Sequence, residues 1–354
     1  MAGINVSADN TALTYMGRTE IFEGFPRFVF AGTSVTVRFK GTGAKCVIRN
    51  HRFYNVAELG FVIDGRREKA EFEHKEEDIE ITLCEGLEDT EHELTLYKKH
   101  AGSHYFEFKG FILNEGAELL PAKPLPKRKI ECYGDSVSAG EVVTAIEYTA
   151  SSDPEGHDGI YDDAWFSYPM ITARNLGAQL HDIAQGGIAI FDNTGYYHAP
   201  NFIGMETAYD KVCYFPEAEG GMTNWDFSKY TPDLVIFAIG QNDPHNEGNP
   251  DNDINDPAFR ERWKNGYKKI ISDLRSKYPN AVFVLILTVL MHSPDWDNVL
   301  DEIVAELNDD KISHFKFTRT GKATPGHPRI TEQYEMAEEL TAYISAMGDG
   351  IWSE

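Results

Sequence analysis

The stretch Lys129-Ile130-Glu131-Cys132-Tyr133-Gly134-Asp135-Ser136-Val137-Ser138-Ala139-Gly140 decides the fold of this chain. An extended-type run ends abruptly in Gly-Asp-Ser and small residues follow, which is typical of a strand, a tight turn and the start of a helix. A serine at this junction has free backbone N–H groups beside it, and such groups stabilise negative charge. Ser136 is therefore a candidate nucleophile, because a nucleophile that generates an oxyanion needs this setting. The alternative interpretation is that Asp135 and Ser136 only cap the helix.

Beyond this stretch, apolar runs alternate with segments of helix length, which predicts a parallel, doubly wound α/β sheet. The predicted strands are Ile130–Tyr133, Ala178–Ala184, Leu234–Ile239, Val282–Leu287 and His314–Phe317, and the predicted helices are Tyr168–Asn175, Pro257–Lys277 and Glu332–Met347. In such sheets a ligand binds outside the carboxyl ends of the strands. Three of these ends carry unusual residues, namely Gly134-Asp135-Ser136, Gln185-Gly186-Gly187 and Gly240-Gln241-Asn242-Asp243. We therefore expect a single site at this edge of the sheet.

The first third of the chain has a different pattern, in which polar and apolar residues alternate in short runs. About eight such runs lie between Arg27 and Leu113, and Asp64-Gly65 predicts a hairpin between two of them. This pattern predicts an antiparallel β-sandwich, interpreted as a jelly roll, which either binds sugar or shapes one wall of a cleft. Prolines between Leu120 and Arg128 favour an extended connector. We predict a β-sandwich domain in residues 1–120, a Pro-rich linker in 121–128 and a catalytic α/β domain in 129–354.

The composition restricts the possible partners of the protein. The 354 residues carry a formal net charge of -24 at pH 7, which argues against binding to nucleic acid or to anionic membranes. No apolar run is long enough to span a bilayer. The four cysteines are widely scattered and resemble small buried hydrophobes, and the Asp- and Asn-rich loop 246–256 lacks the order of a calcium site. We expect no metal and no cofactor.

The first residues of the sequence give a prediction of the cellular compartment. The first residues lack a basic and then apolar signal region, which predicts a cytoplasmic protein unless a signal was removed. The sequence gives no prediction of the oligomeric state.

The residues at the sheet edge suggest a mechanism. Gly187 would offer a backbone N–H and Asn242 an amide N–H, which with the N–H of Ser136 makes a three-donor oxyanion hole. Alternatively, Gly187 is a turn glycine and Asn242 belongs to a cap or turn. A histidine must take the proton of Ser136. We select His327, which precedes the final helix and can reach the same edge, over its nearest rival His245.

These residues carry a resemblance to a known family. Gly134-Asp135-Ser136, Gly187, Gly240-x-Asn242-Asp243 and His327-Pro328 resemble the four motif blocks of the SGNH (GDSL-type) hydrolases over residues 128–348. The β-sandwich in front makes the chain most similar to carbohydrate esterase family two, whose members remove O-acetyl groups from plant polysaccharides such as xylan. The resemblance implies that Ser136 is the nucleophile, His327 the base, and Gly187 and Asn242 the partners of Ser136 in the oxyanion hole. It also implies an acetylated polysaccharide or oligosaccharide as substrate.

The chain departs from the wider family at one position. Thr324 replaces the usual aspartate three residues before the histidine. The imidazole still needs a group that fixes its tautomer, which can be a backbone carbonyl or an acid from elsewhere. We predict a Ser–His dyad with a carbonyl in this role, the alternative being an inactive relative.

Three aromatic residues and the function of the protein each have alternative interpretations. The candidates for stacking on a sugar are Trp165, Phe191 and Trp225, each of which is alternatively a core residue. A non-catalytic carbohydrate-binding protein and an SGNH esterase or lipase on other acyl esters remain the competing functions.

Overall fold

The N-terminal part of the chain folds into two packed antiparallel sheets. A computed structural model describes residues 3–52, 56–102, 104–246, 248–290, 293–319 and 325–353. Its strands here are β1 (Ile4–Ser7), β2 (Thr14–Met16), β3 (Thr19–Phe22), β4 (Phe25–Phe28), β5 (Ser34–Gly41), β6 (Ala44–Arg52), β7 (Glu58–Ile63), β8 (Arg66–Glu71), β9 (Asp78–Cys84), β10 (Thr90–Tyr97), β11 (His104–Leu113) and β12 (Glu118–Leu119). One sheet has the order β3-β4-β11-β6-β9, with β1 beside β11, and the other has β12-β5-β10-β7-β8, with β2 beside β5. The predicted antiparallel sandwich is confirmed.

The alternation of the sequence explains the core of this sandwich. Alternate residues of facing strands, such as Val35, Val37, Phe106 and Phe108, are fully buried between the sheets. Asp64-Gly65 joins β7 to β8 as predicted, with φ angles of 49° and 81° that suit a tight two-residue hairpin. The strands that the alternation did not reveal are β1 to β4 and β12. Each has four residues or fewer, which is too short for a period of two to show.

The C-terminal part is built on a five-stranded parallel sheet. The elements are β13 (Arg128–Gly134), α1 (Ser136–Ala139), α2 (Tyr168–Leu176), β14 (Ala178–Ala184), α3 (Met205–Ala208), β15 (Lys211–Cys213), β16 (Thr223–Asn224), β17 (Leu234–Ala238), α4 (Pro257–Lys277), β18 (Val282–Leu285), α5 (Pro294–Leu307), β19 (Ile312–His314) and α6 (Ile330–Ala346). The sheet order is β14-β13-β17-β18-β19, and β15 pairs with β16 separately. In this sheet β14, which follows β13 in the chain, lies on one side of β13. The next strand of the same sheet, β17, lies on the other side. The carboxyl end of β13 is thus a topological switch point, where doubly wound folds bind ligands.

Helices cover both faces of the parallel sheet. Side chains of α2 and α6, including Tyr168 and Met336, pack on one face. Side chains of α4 and α5, including Trp263 and Leu300, pack on the other. The predicted start of α4 is confirmed, since the Asp256 side chain accepts hydrogen bonds from two N–H groups of the first turn and Pro257 follows it. The predicted doubly wound domain is confirmed.

Two elements differ from the prediction. The fifth strand is β19 and ends at His314. The N–H of Phe315 still donates to the carbonyl of Leu285 in β18 (3.0 Å), and the rings of Phe315 and Phe317 pack against α6 and α2. The predicted fifth strand is therefore present, but its predicted bounds, His314–Phe317, are wrong. Helix α5 was not predicted, although Pro294 begins it and its buried residues recur at helical spacing. Those residues are Trp296, Val299, Leu300 and Ile303.

Two predictions from composition can be compared with the structure. All four cysteines are free. Cys46, Cys132 and Cys213 are buried, in agreement with the interpretation as small buried hydrophobes, whereas Cys84 is only partly buried. Across the part of the chain that the structure describes, no helix has the length and apolar character needed to cross a membrane.

The sandwich holds a long loop of the α/β part. This loop comprises residues 141–163 and connects the end of α1 to the segment before α2. The N–H of Val56 donates to the carbonyl of Asp158 (3.1 Å), and the ring of His100 donates from Nε2 to the carbonyl of Gly159 (3.1 Å). Lys99, which is almost fully buried, pairs with Glu58 and also donates to a carbonyl of the loop. The position of the 141–163 loop therefore depends on the sandwich.

Lys99→Met is expected to destabilise the protein by about 2 kcal/mol, because it leaves the buried Glu58 carboxylate with Lys69 as its remaining partner. Lys45→Met is the control, since Lys45 pairs with Glu80 on the surface, where an ion pair contributes less than about 1 kcal/mol. Urea unfolding monitored by fluorescence compares the two variants with the wild type. Equal midpoints for all three proteins would contradict this account of the interface.

Candidate active site

Ser136 stands at the sharp junction between β13 and α1. Asp135 is the N-cap of α1, and its Oδ1 accepts a hydrogen bond from the N–H of Val137 (3.1 Å). A Cβ atom at Gly134 would lie 2.1 Å from the hydroxyl of Ser138, so only glycine fits there. Because Ser136 is the first residue of the helix, its N–H has no acceptor within the helix. Asp135 therefore caps the helix, while Ser136 is left at the edge of the sheet with an N–H that has no acceptor among the described residues.

His327 faces Ser136 from the segment before α6. Its Nε2 lies 2.8 Å from Oγ of Ser136, and its Nδ1 lies 2.7 Å from Oδ2 of Asp153. A carboxylate can only accept, so we assign the ring proton to Nδ1. Nε2 is then the acceptor for the hydroxyl of Ser136, which is the arrangement that a general base requires.

Asp153 corrects the prediction for the group that orients the histidine. We predicted a backbone carbonyl at Nδ1, and the structure places this carboxylate there instead. Thr324, the position of the usual family aspartate, lies outside the described residues. Oδ1 of Asp153 also accepts from the N–H of His327 (3.0 Å) and from Nη1 of the buried Arg329 (2.8 Å). A Cβ at Gly326 would lie 2.4 Å from this oxygen, so the glycine before the histidine makes room for the acid.

The 141–163 loop carries Asp153 to this position. Its two ends are joined by hydrogen bonds from Asp163 N to Gly140 O (2.8 Å) and from Val142 N to Asp162 Oδ1 (2.9 Å). An acid from this loop reaches the histidine across 174 positions of the sequence. This loop therefore supplies the third polar group of the site.

Charge interactions in the site oppose the effect of burial. Burial raises the pKa of Asp153, but the hydrogen bonds and positive charge from His327 and Arg329 outweigh it and hold that pKa well below its usual range. Burial lowers the pKa of His327, but the hydrogen bond to Asp153 and the nearby Glu141 raise it overall. Asp153 therefore stays ionised throughout the range in which His327 titrates.

All four residues predicted for the reaction line one cavity. Ser136, Gly187, Asn242 and His327 surround a volume of about 430 Å³, which Asp153 also lines. Gly187 has a φ of 74°, and a Cβ there would lie 2.9 Å from Cβ of Tyr196. The glycine is thus required by the backbone and by Tyr196. Among the described residues its N–H has no acceptor, so it is open to the cavity.

Asn242 is held by its neighbours at the cavity wall. Its Nδ2 donates to the carbonyl of Ile188 (3.0 Å) and lies 3.4 Å from Oδ2 of Asp135. The neighbouring Asp243 is a structural anchor, because its carboxylate accepts from Trp263 Nε1 (2.8 Å) and from the N–H of Ile190 (3.1 Å). Burial raises the pKa of Asp243 to about 7. Asp243 therefore has a structural role, whereas Asn242 lies in the same turn and lines the cavity.

The three aromatic residues predicted to stack on sugars lie elsewhere. Phe191 and Trp225 are only 8% and 7% exposed and pack in the core, so they present no free ring face and these two predictions are wrong. The guanidinium carbon of Arg174 lies 4.1 Å from the ring centroid of Trp165, and the ring of Tyr97 also packs against it. Trp165 does not line the cavity. A sequence pattern cannot distinguish such core rings from binding rings, because both are apolar and aromatic.

An aromatic residue that sequence analysis missed lines the cavity. Tyr196 is 59% exposed, and its ring stacks on His245 with centroids 3.9 Å apart and planes 9° apart. His245, the rival candidate for the base, is thus committed to this stack. One face of the Tyr196 ring is supported by the protein.

Comparison with known proteins defines the class. Residues 132–311 match the family described as "GDSL-like Lipase/Acylhydrolase family", and residues 15–123 match "Carbohydrate esterase 2 N-terminal". The chain belongs to the GDSL-like lipase/acylhydrolase family, and it carries the N-terminal domain of carbohydrate esterase family two in front. The resemblance seen in the motifs is confirmed.

Individual relatives are similar to all or part of this chain. "Cellulase/esterase CelE" of Acetivibrio thermocellus is 29% identical over 95% of this chain and 39% of its own length. "Acetylxylan esterase / glucomannan deacetylase" of Cellvibrio japonicus is 30% identical over 66% of this chain and 61% of its own. A family two carbohydrate esterase from Clostridium thermocellum, solved in complex with cellohexaose, superposes with a TM-score of 0.78 at 26% identity, covering 95% of this chain and 98% of that one. This chain spans less than two thirds of both curated relatives.

Proposed function

We propose that this chain is a serine esterase that removes O-acetyl groups from plant polysaccharides or their oligosaccharides through an acetyl-enzyme. The observation that carries the proposal is the hydrogen-bonded series from Asp153 through His327 to Ser136, with distances of 2.7 and 2.8 Å, at the wall of a cavity. The relatives support the same reaction class, since one is named an esterase and another an acetylxylan esterase and glucomannan deacetylase.

In the first half of the reaction, Oγ of Ser136 attacks the acetyl carbonyl carbon while its proton moves to Nε2 of His327. The carbonyl oxygen becomes an oxyanion and accepts hydrogen bonds from the N–H groups of Ser136 and Gly187. The Asn242 amide is the third donor, and the oxyanion replaces its long 3.4 Å contact with Asp135. Each well-placed donor lowers the barrier by about 3 kcal/mol. The ionised Asp153 stabilises the imidazolium while it carries the proton.

In the second half, the bond between the acetyl carbon and the sugar oxygen breaks, and His327 gives its proton to that oxygen. The deacetylated sugar leaves and Ser136 carries the acetyl group. His327 then takes a proton from water as the water attacks the ester. Acetate departs, and the proton returns to Ser136.

The cavity fits a short acyl group on a sugar better than a long acyl chain. Its volume of about 430 Å³ lies in the range of small-molecule sites. Among the described residues that line it, the aliphatic side chains are Leu290 and Pro325, which do not form an extended apolar channel. Tyr196 adds an exposed ring at the cavity, and rings of this kind pack well against sugar faces. A lipase would need a longer apolar surface.

Acetate release from acetylated xylan, acetylated mannan and acetylated pectin tests the proposal, with 4-nitrophenyl acetate and 4-nitrophenyl octanoate as small substrates. We expect turnover of at least one polysaccharide and a strong preference for the acetyl over the octanoyl ester. Binding of polysaccharide without turnover would instead indicate a carbohydrate-binding protein. Preference for octanoate would indicate a lipase.

A further inference from the structure

The carboxyl group of Glu141 lines the active-site cavity and has no role in the reaction as described above. Glu141 follows the end of α1, and its N–H donates to the carbonyl of Ser136 (2.9 Å). Its carboxyl group lies over Gly186, where a Cβ atom would be 1.8 Å from Oε1. The glycine before Gly187 therefore makes room for this carboxyl group, and the fold brings it to the cavity beside the nucleophile.

Within the described parts of the chain, the Glu141 carboxyl group has no hydrogen bond or salt bridge, although His327 is near enough to act on its charge. The titratable groups that face it or share its cavity are Asp135 from the cap of α1, Asp153 and Asp162 from the 141–163 loop, His327, and Tyr196 across the cavity. Burial and the neighbouring carboxylates, of which Asp162 is the strongest, raise the pKa of Glu141 above its usual range. His327 opposes this rise in the pKa of Glu141. The raised pKa extends the protonated form of the group to higher pH, and in that form it can both donate and accept a hydrogen bond.

We propose that the Glu141 carboxyl group is a specificity-determining group that hydrogen-bonds a hydroxyl of the sugar bearing the acetyl group and selects neutral sugars over uronic acids. This inference rests on the proposed esterase function. A sugar hydroxyl supplies the partner that the protein does not, and an unpaired polar group in a cavity is costly when its partner is missing. The described cavity lining contains no lysine or arginine, whereas it contains Glu141 and Asp153. A uronate carboxylate would lie near the ionised Asp153, and among the described lining residues His327 is the one side chain that can carry a positive charge.

Two variants of Glu141 test the proposal on three substrates. The substrates are an O-acetylated xylo-oligosaccharide, an O-acetylated galacturonate oligosaccharide and 4-nitrophenyl acetate, which has no sugar. In Glu141→Ala we expect kcat/KM for the xylo-oligosaccharide to fall about tenfold more than for 4-nitrophenyl acetate, mainly through KM. In Glu141→Gln the ratio of the two values at neutral pH stays close to that of the wild type, because the amide also donates and accepts. Glu147→Ala, an exposed carboxylate of the same loop, is the control.

The pH dependence gives a second readout that does not need the alanine variant to fold. In the wild type, ionisation of Glu141 at alkaline pH should lower the xylo-oligosaccharide activity relative to 4-nitrophenyl acetate. In Glu141→Gln this alkaline fall should be absent. Equal losses on sugar and non-sugar esters in Glu141→Ala, an unchanged alkaline fall in Glu141→Gln, or wild-type preference for the galacturonate ester would each overturn the proposal. Absence of all Ser136-dependent turnover in the wild type would overturn the esterase function itself, so the two failures are distinguishable.

Discussion

Ser136→Ala is expected to lower kcat for acetate release by a factor of about 10⁵ to 10⁶, because the variant has no nucleophile for the acyl group. Loss of one hydroxyl should change the melting temperature by only about 2 °C. Acetate release under saturating 4-nitrophenyl acetate, followed together with thermal unfolding, checks both expectations.

Ser138→Ala is the matched control for this variant. Ser138 lies on the same short helix, but its hydroxyl is buried and lies 2.9 Å from the hydroxyl of Tyr168, away from the cavity. We expect this variant to lose some stability and to retain most of its activity. If both variants lost activity equally, the loss would come from the packing of α1 and not from the hydroxyl of Ser136.

Asp153→Asn is expected to lower kcat by a factor of about 10³ to 10⁴, the second largest effect. An amide in this place can donate to Nδ1, which would put the ring proton on Nε2 and remove the acceptor for Ser136. If Asp153→Asn keeps more activity than Ser136→Ala, Asp153 positions the histidine, whereas Ser136 is the nucleophile. Activity equal to that of the wild type would restore the dyad predicted from the sequence.

The pH profile of the same variant has a definite sign. In the wild type, Asp153 raises the pKa of His327, and the reaction needs the neutral ring, so kcat/KM rises with pH as His327 loses its proton. Removing the negative charge lowers that pKa, and the acid limb of kcat/KM should move to lower pH. Asp158→Asn is the control, because Asp158 lies on the same loop at a φ of 44° that asparagine tolerates. Its profile should match that of the wild type.

Much of the fold follows from local pattern. The limits of α4 could be predicted because Asp256 and Pro257 signal its start and an extended run follows its end. The bounds of β19 could not be predicted. Phe315 and Phe317 are apolar because their rings pack against each other and against α6, and not because they belong to the strand. Strands of two to four residues are too short for a periodic signal.

Some residues of the candidate site could likewise be predicted from the sequence and others could not. Ser136, Gly187 and Asn242 could be located because each follows a strand of one parallel sheet, and the ends of such strands share an edge. Asp153 could not, because its place depends on how the sandwich and the closed ends of the 141–163 loop position the backbone. An aspartate before a proline in a polar loop has no local feature that marks this role. Tyr196 differs from the buried aromatics only in exposure, which the sequence does not contain.

The central claim is that Ser136, activated by His327 and Asp153, forms the covalent acyl intermediate. Intact-protein and peptide mass spectrometry after reaction with a serine-directed fluorophosphonate tests it most directly. We expect one adduct, on the peptide containing Ser136, that forms much more slowly in Asp153→Asn and is absent in Ser136→Ala. An adduct that persists in Ser136→Ala, or an active wild-type enzyme that remains unlabelled, would contradict it.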